Sequence, residues 1–395
     1  MIVVLFWICA GLMAYTYVGF SLLLMVRARL FPSSYEPSDI APAVSMVIAA
    51  HNEAANIESK LENVLAMDYP RERLEVIVAS DGSTDATEYI VRRFADRGVR
   101  LLSLPRRGKA AALNTAVAAT TGEVIVFSDA NSIFRPDALR ALVRPLGDPA
   151  VGGVAGNQRY LPAAKQFGAD EGERRYWDFD RVLKRWQSAA GSVTSATGAI
   201  YAIRRGLFTT VPEGVTDDFA VSTAVVAQGY RLVFASDAAA YEPAAKATDA
   251  EFARKVRIIT RGLRGVVERR VLLNPFRYGF YSLQLFTHKL LRRLMALPLL
   301  TLLVISPWLW TAGPLYQSVV VAQAAMYGCA ALGFLLVNTS AGRAKLFALP
   351  MFFVLVNAAS LVAVVNVLRG RRIVLWQTAR PQPQQSPAPN VTWPY

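Results

Sequence analysis

The sequence predicts an α/β domain, a mostly parallel sheet with flanking helices, joined to transmembrane α-helices. Three observations predict it. From Ala43 to Asp129, short apolar runs rich in β-branched residues alternate with helix-forming stretches, the order that builds a parallel sheet with helices on both faces. Two of those runs stop on an acid, at Asp81 and Asp129, and open parallel sheets bind ligands outside the carboxyl ends of their strands. Long apolar stretches stand at both ends of the 395-residue chain, near the ~20 residues that span a bilayer.

Ile2 to Val26 carries no charge and is followed by Arg27 and Arg29. It lacks the basic start and the small-residue cleavage site of a signal peptide, so residues 1–30 are expected to form an uncleaved anchor with the following domain in the cytoplasm. Residues 31–42, FPSSYEPSDIAP, form a proline- and serine-rich linker. Val44 to Ala49 has the pattern of a short buried strand, and a helix is expected from about Glu53 to Leu65, capped by Asn52 or a neighbour. Leu74 to Ala79 is a second strand, ending at Ser80-Asp81-Gly82-Ser83. Gly82 permits a tight turn that leaves Asp81 facing the crevice. Thr84 to Arg97 follows as a helix, Val99 to Leu104 as a strand, and Lys109 to Thr120 as a helix of high propensity. A lysine in a helix's first turn opposes the dipole, so Lys109 serves an anion rather than its helix. In Glu123 to Ser132, EVIVFSDANS, Val124 to Phe127 read as a strand buried on both faces. Beyond it, Asp129 and Asn131 can turn oxygens toward one hard cation, or form an Asx turn.

Farther on, Ala199 to Ile203 is a short strand followed by Arg204 and Arg205, and Phe219 to Gln228 an amphipathic helix opened by Asp217 and Asp218. Two acids there suit the helix dipole. Glu171 to Ala190 is helical, and its Tyr176, Trp177, Phe179 and Trp186 read as core rather than as sugar-stacking groups. Between Asn274 and Arg293, Phe280, Leu283, Phe286, Leu290 and Leu294 recur at helical spacing beside Lys289, Arg292 and Arg293, the pattern of a helix in the membrane interface. Three apolar stretches follow, Leu294 to Trp310, Leu315 to Val337 and Leu346 to Leu368. If all three span, the tail lies outside, against the preference of Arg369, Arg371 and Arg372 for the cytoplasm; one is therefore expected to be re-entrant or interfacial. After Arg380 the tail has the composition of a disordered segment.

Other classes are disfavoured. The two cysteines lie in apolar segments, and His51 and His288 are far apart, so neither a disulfide framework nor a zinc site follows. The net charge of +14 has its heaviest cluster at Arg254 to Arg293. Beside membrane segments such a cluster meets lipid headgroups or a phosphorylated substrate, and no nucleic-acid partner is expected.

The motifs AAHNE, SDGSTD, GKAAALN, SDAN, ATGAIYAIRR and TDDFAVSTAVVAQGYRLVFA, in this order, resemble the membrane-bound inverting glycosyltransferases of family 2, within the cellulose synthase-like superfamily. The resemblance runs from about Val44 to Gly265. It implies a GT-A fold, and a donor pocket in which Asp81 holds uridine, with Asn52 and Glu53 beside it and Lys109 near the diphosphate. It implies Asp129 as the first acid of a DxD motif for Mg2+ or Mn2+, Asp218 as catalytic base, and Thr197-Gly198 as the loop under the acceptor. Two departures stand out. Asn131 replaces the second acid, keeping an oxygen but no charge. The QxxRW motif of processive members is replaced by RKVRIITRG, without Trp, where Arg257 and Arg261 could still clamp a diphosphate. Single transfer to a lipid-linked or short acceptor then stands beside polymerisation. The expected function is transfer from a UDP-sugar to a polysaccharide or lipid-linked acceptor. The rivals are transfer to a polyprenyl phosphate, and a non-catalytic nucleotide-sugar sensor within a synthase complex. The expected organisation is a catalytic domain at 43–272, an interface helix at 273–293, membrane helices at 294–370 and a tail at 371–395. It implies a multi-pass protein of the cell inner membrane in contact with lipids.

Overall fold

The computed structural model describes residues 1–160, 169–242, 248–337, 339, 341–342 and 344–373. The tail expected to be disordered lies outside the described residues from 374 on. The chain divides into two compact units, one of residues 1–34, 162–194 and 247–373, the other of residues 35–161 and 195–246.

The second unit is built on an eight-stranded mixed sheet. Its strands are β1 (Val44–Ala50), β2 (Leu74–Asp81), β3 (Val99–Leu104), β4 (Val124–Asp129), β5 (Ile133–Phe134), β6 (Val151–Tyr160), β7 (Tyr201–Arg204) and β8 (Arg231–Glu242), in the order β3-β2-β1-β4-β7-β6-β8-β5. The first four named in that order run parallel. Every residue of β1 is buried, because both faces of a central parallel strand are covered. Burial of Val44, Met46, Val47 and Ile48 contributes on the order of 6–12 kcal/mol before chain entropy is charged against it. The register sets Asp129 beside Ala49 and Ser80 beside Ala50, so Asp81 and Asp129 end neighbouring positions along one edge.

The β1 to β4 strands agree with the sequence pattern, while several boundaries differ. The first helix begins at Ile57 rather than Glu53, because Asn52 has φ +53° and residues 53–56 form a turn closed by Asn56 and Ile57 N–H on Glu53 O. The helix expected from Thr84 to Arg97 is reduced to Thr87–Arg92 and a 3-10 turn, Ala95–Arg97, ended by Gly98 at φ +79°. The strand expected at 199–203 lies at 201–204 and runs antiparallel to β4, so the sheet, parallel in four of its seven strand pairings, is mixed. Strand β6 has no strand-like composition. Its Gly153 and Gly156 stand where a Cβ would come within 3.3 Å of Ala202 O and 3.0 Å of Ala238 O. Glycine lowers strand propensity and permits that approach. Arg204 donates to the carbonyls of Leu146, Asp148 and Val151.

The other unit is helical. Among the described residues three helices are long and apolar enough to cross a membrane: Ile2–Leu30, Pro314–Leu335 and Lys345–Leu368. The stretch from Leu294 to Trp310 does not form a fourth. It divides into Ala296–Ile305 and a 3-10 turn, Pro307–Ala312, since Pro307 cannot donate to the helix and clashes with its preceding turn. Helix Ala169–Ala189 packs Leu183 and Trp186 against Phe20 and Leu24, a core role, whereas Phe179 is exposed. The Tyr176 and Trp177 side chains lie outside the description. Around 275–294 the buried side holds Tyr281, Ser282, Gln284 and Leu285, and Phe286 is exposed. Helix Thr248–Glu268 sets Ile259 and Leu263 against Ala359 and Ala363, small residues that let helices approach closely.

Candidate active site

The carboxyl ends of β1, β2 and β4 hold most of the residues expected to act. At β2, Asp81 is 1% exposed. It accepts the backbone N–H groups of Arg107 (2.7 Å) and Gly108 (2.9 Å), with the Arg106 guanidinium 4.0 Å away. The acid thus sits at the N-terminus of helix Lys109–Ala118, where the dipole favours an anion. Gly82 is required opposite this loop: its φ is +61°, and a Cβ would lie 2.9 Å from Arg106 N. At β1, Asn52 Oδ1 accepts Thr84 N–H at 2.8 Å, and Ser83 Oγ accepts Asn52 N–H. Glu53 is buried and accepts from the Asn56 amide at 2.6 Å. His51, for which no role was expected, bonds Asp81 O through Nδ1 at 2.9 Å.

With Asp81 serving the helix dipole, Lys109 can turn its ammonium elsewhere. It donates to Asp129 Oδ1 at 2.6 Å and lies 3.0 Å from Asp217 Oδ2. Burial alone would push the ammonium down, but these two carboxylates hold it well above the ordinary lysine range. The anion that Lys109 serves in this structure is therefore a carboxylate pair. Gly198 lies against Asp129, such that a Cβ would sit 3.0 Å from Oδ2. Thr197 precedes it, and its hydroxyl is buried with no hydrogen-bond partner among the described residues.

Asp217 and Asp218 open helix Asp217–Ala227 and differ in environment. Asp217 is buried and paired with Lys109, a role that the capping reading of the sequence missed. Asp218 is partly exposed, and its Oδ1 accepts the Phe219 N–H at 2.8 Å. Beside them Tyr201 is fully buried and stacked on Phe127 at 4.7 Å. Its hydroxyl has no hydrogen-bond partner among the described residues, and burial, then Asp217, Asp218 and Asp129, keep the phenol protonated. Nothing in the local sequence marked Tyr201, because its relation to the acids arises across the β4–β7 ladder.

Among the described residues no group of three His, Cys, Asp or Glu could hold a metal ion. Asp129 and Asn131 nevertheless offer oxygen donors of the kind hard cations take. Asp129 already pairs with one cation, the Lys109 ammonium, so the carboxylate fits a positive partner at that place. Arg257 and Arg261 belong to the other unit, on helix Thr248–Glu268. Arg261 is buried. Burial, then Arg261 and Arg254, push Arg257 down.

Residues 45–211 match the family described as Glycosyl transferase family 2. Among curated relatives, a Bacillus subtilis (strain 168) protein named "Probable glycosyltransferase YdaM" is 29% identical over 234 residues, 55% of this chain and 54% of that protein. The poly-beta-1,6-N-acetyl-D-glucosamine synthase of Staphylococcus aureus (strain COL) is 28% identical over 203 residues, 50% of this chain and 48% of that protein. This chain spans about half the length of the curated relatives it matches. A solved mannosyltransferase of Pyrobaculum calidifontis, in complex with GDP-Man and Mn2+, aligns over 93% of this chain and 100% of its own with TM-score 0.69 and 26% identity. The fold expected from the motifs is shared with this mannosyltransferase, and by family match and relatives the chain is similar to glycosyltransferases.

Proposed function

We propose that this glycosyltransferase moves a sugar, with inversion at its anomeric carbon, from a nucleotide sugar to a polysaccharide or lipid-linked acceptor at the cytoplasmic face of the cell membrane. The observation that carries this reading is the group at the carboxyl edge of the sheet: Lys109 between Asp129 and Asp217, with partly exposed Asp218 next along the helix.

In this reading Asp218 accepts the proton of the acceptor hydroxyl as its oxygen attacks the anomeric carbon, and the bond to the diphosphate breaks on the opposite face. Asp129 and Asn131 would hold Mg2+ or Mn2+, which supplies charge neutralisation for the departing diphosphate. Lys109 would then divide its ammonium between Asp217 and the diphosphate. The loop held by Asp81, with Asn52 and Glu53, would border the nucleoside, and Thr197-Gly198 the acceptor. Arg257 and Arg261 remain candidates for a diphosphate clamp. UDP is the donor nucleotide implied by the motif resemblance. The Pyrobaculum mannosyltransferase holds GDP-Man, so both bases belong in the test.

The membrane arrangement follows from charge and length. If the three helices of membrane-spanning length, Ile2–Leu30, Pro314–Leu335 and Lys345–Leu368, cross and Ala296–Ile305 does not, the catalytic segment 43–272 and the arginines at 369, 371 and 372 fall on one side, in line with the positive-inside tendency. An odd number of later crossings would have put those arginines outside.

The test is nucleoside diphosphate release by the purified full chain with UDP- and GDP-sugars and Mn2+. Release with one donor, reduced roughly 10²–10⁴-fold in Asp218→Asn, is the expected result. Release unchanged in that variant would refute the role of Asp218. None with any donor in the presence of membrane lipid and glycan acceptors would favour a nucleotide-sugar sensor.

A further inference from the structure

Behind the 129–132 turn lies a buried polar network that the proposed chemistry does not use. Lys60, on helix Ile57–Leu65, is 0% exposed, and its ammonium donates to Ser132 O at 2.6 Å and lies 3.7 Å over the Phe134 ring. One turn along the same helix, Asn63 brackets the next strand: its amide donates to Phe134 O at 2.8 Å, and its Oδ1 accepts Phe134 N–H at 2.7 Å. Ser132 Oγ donates to Glu242 Oε1 at 2.6 Å, and Gln158 donates to the other oxygen of that carboxylate at 2.7 Å. The segment directly after Asn131 is thus fixed from the helix on one side and from β6 and β8 on the other.

A buried ammonium is costly, and two apolar neighbours in its helix, Ile57 and Leu61, are fully buried without one. Stability alone would be served as well by a methionine in that place, since replacing buried charges with apolar groups is often neutral or stabilising. Burial lowers the Lys60 ammonium to about 7, opposed by the carboxylates of Asp129 and Glu242, so the group lies within the field of the turn it supports.

We propose that Lys60 and Asn63 are positioning residues that hold the Asp129–Ser132 turn in the geometry needed to bind a divalent cation together with a nucleoside diphosphate. The reasoning is that of supports behind metal ligands in general: an uncharged ligand such as Asn131 binds only if its oxygen is already aimed, and the groups that aim it are typically worth 10–100-fold in affinity. Lys60 acts through the Ser132 carbonyl, one residue from Asn131, and Asn63 through Phe134. This inference rests on the assignment of Asp129 and Asn131 as cation ligands.

The experiment is a titration of the purified full chain with Mn2+ in the presence of UDP or GDP, with free Mn2+ read by electron paramagnetic resonance. Lys60→Met and Asn63→Ala are each expected to weaken Mn2+ binding on the order of tenfold. Leu61→Ala, a cavity in the same helix, should lower thermal stability and leave Mn2+ affinity unchanged. Because the Lys60 charge would also repel a metal, tighter binding in Lys60→Met with no effect of Asn63→Ala would overturn the positioning role. So would wild-type affinity in both variants. Absence of Mn2+ binding by the wild type would overturn the ligand assignment and this inference with it, whereas nucleotide release could still be observed and would keep the transferase reading apart. Equal weakening by Leu61→Ala would reduce Lys60 and Asn63 to ordinary structural residues and overturn the proposal.

Discussion

Replacing Lys109 with methionine keeps the length of the stem and removes the ammonium between Asp129 and Asp217. The side chains of those acids are 30% and 11% exposed. Breaking a buried pair by removing one partner costs about 3–5 kcal/mol. Water near Asp129 and proton uptake by the orphaned acids reduce this to roughly 2–3 kcal/mol, a fall in Tm of about 4–12 °C for a unit of this size. The pH dependence has a definite sign. The folded lysine lies above its unfolded value, near ~10.4, so its contribution is fully present below that pH and is lost only as pH rises through the folded value. The wild type therefore keeps it throughout pH 5–9. In the variant two neighbouring carboxylates repel, and acidification relieves them. The deficit in Tm should be largest at pH 8 and shrink toward pH 5, and Mn2+ should raise the variant's Tm more than the wild type's. Thermal unfolding followed by tryptophan fluorescence at both pH values measures this. A variant as stable as the wild type at pH 8, or a deficit that grows toward pH 5, would refute the charge argument.

Two further substitutions probe the proposed cation ligands. Asn131→Asp adds a charged ligand beside Asp129 and should lower the half-saturating Mn2+ concentration for nucleotide release several-fold, while costing about 1 kcal/mol in metal-free thermal unfolding through like-charge repulsion; unchanged Mn2+ dependence would argue that residue 131 does not touch the metal. Gly198→Ala sets a methyl 3.0 Å from Asp129 Oδ2, inside van der Waals contact, and should raise the donor KM several-fold. Gly206→Ala, which meets nothing within 4 Å, should leave kinetics unchanged.

Much of the nucleotide-side architecture was legible because it is local. A buried parallel strand is a continuous apolar run and an acid at its end is the next letter, so β1 to β4, Asp81 and Asp129 could be placed from neighbouring residues alone. Lys109 was legible as a misfit, a cation at the wrong end of a helix. The partner that resolves the misfit was not, because Asp217 is more than a hundred residues away. Strand β6 was hidden by its glycines, whose reason is the approach of Ala202 and Ala238. Lys60 was hidden for the opposite reason: a lysine in an amphipathic helix reads as surface, and only packing against β5 reveals that it is buried.

The order of motifs and the periodicity of apolar residues, which the sequence carries by itself, determined the fold class and the presence of membrane-length helices, since each depends on contacts between near neighbours or on composition over a helix's length. The tertiary structure decided which acid is buried and which is partly exposed, turning Asp217 toward Lys109 and leaving Asp218 nearer the surface, although the two stand side by side in the same first turn. It also closed Asp81 over the helix start and broke the 294–310 run at Pro307. The physical reason is common to these cases: the state of a charged or polar group is set by what lies within a few ångströms of it, and those neighbours come from strands and helices far apart in the chain.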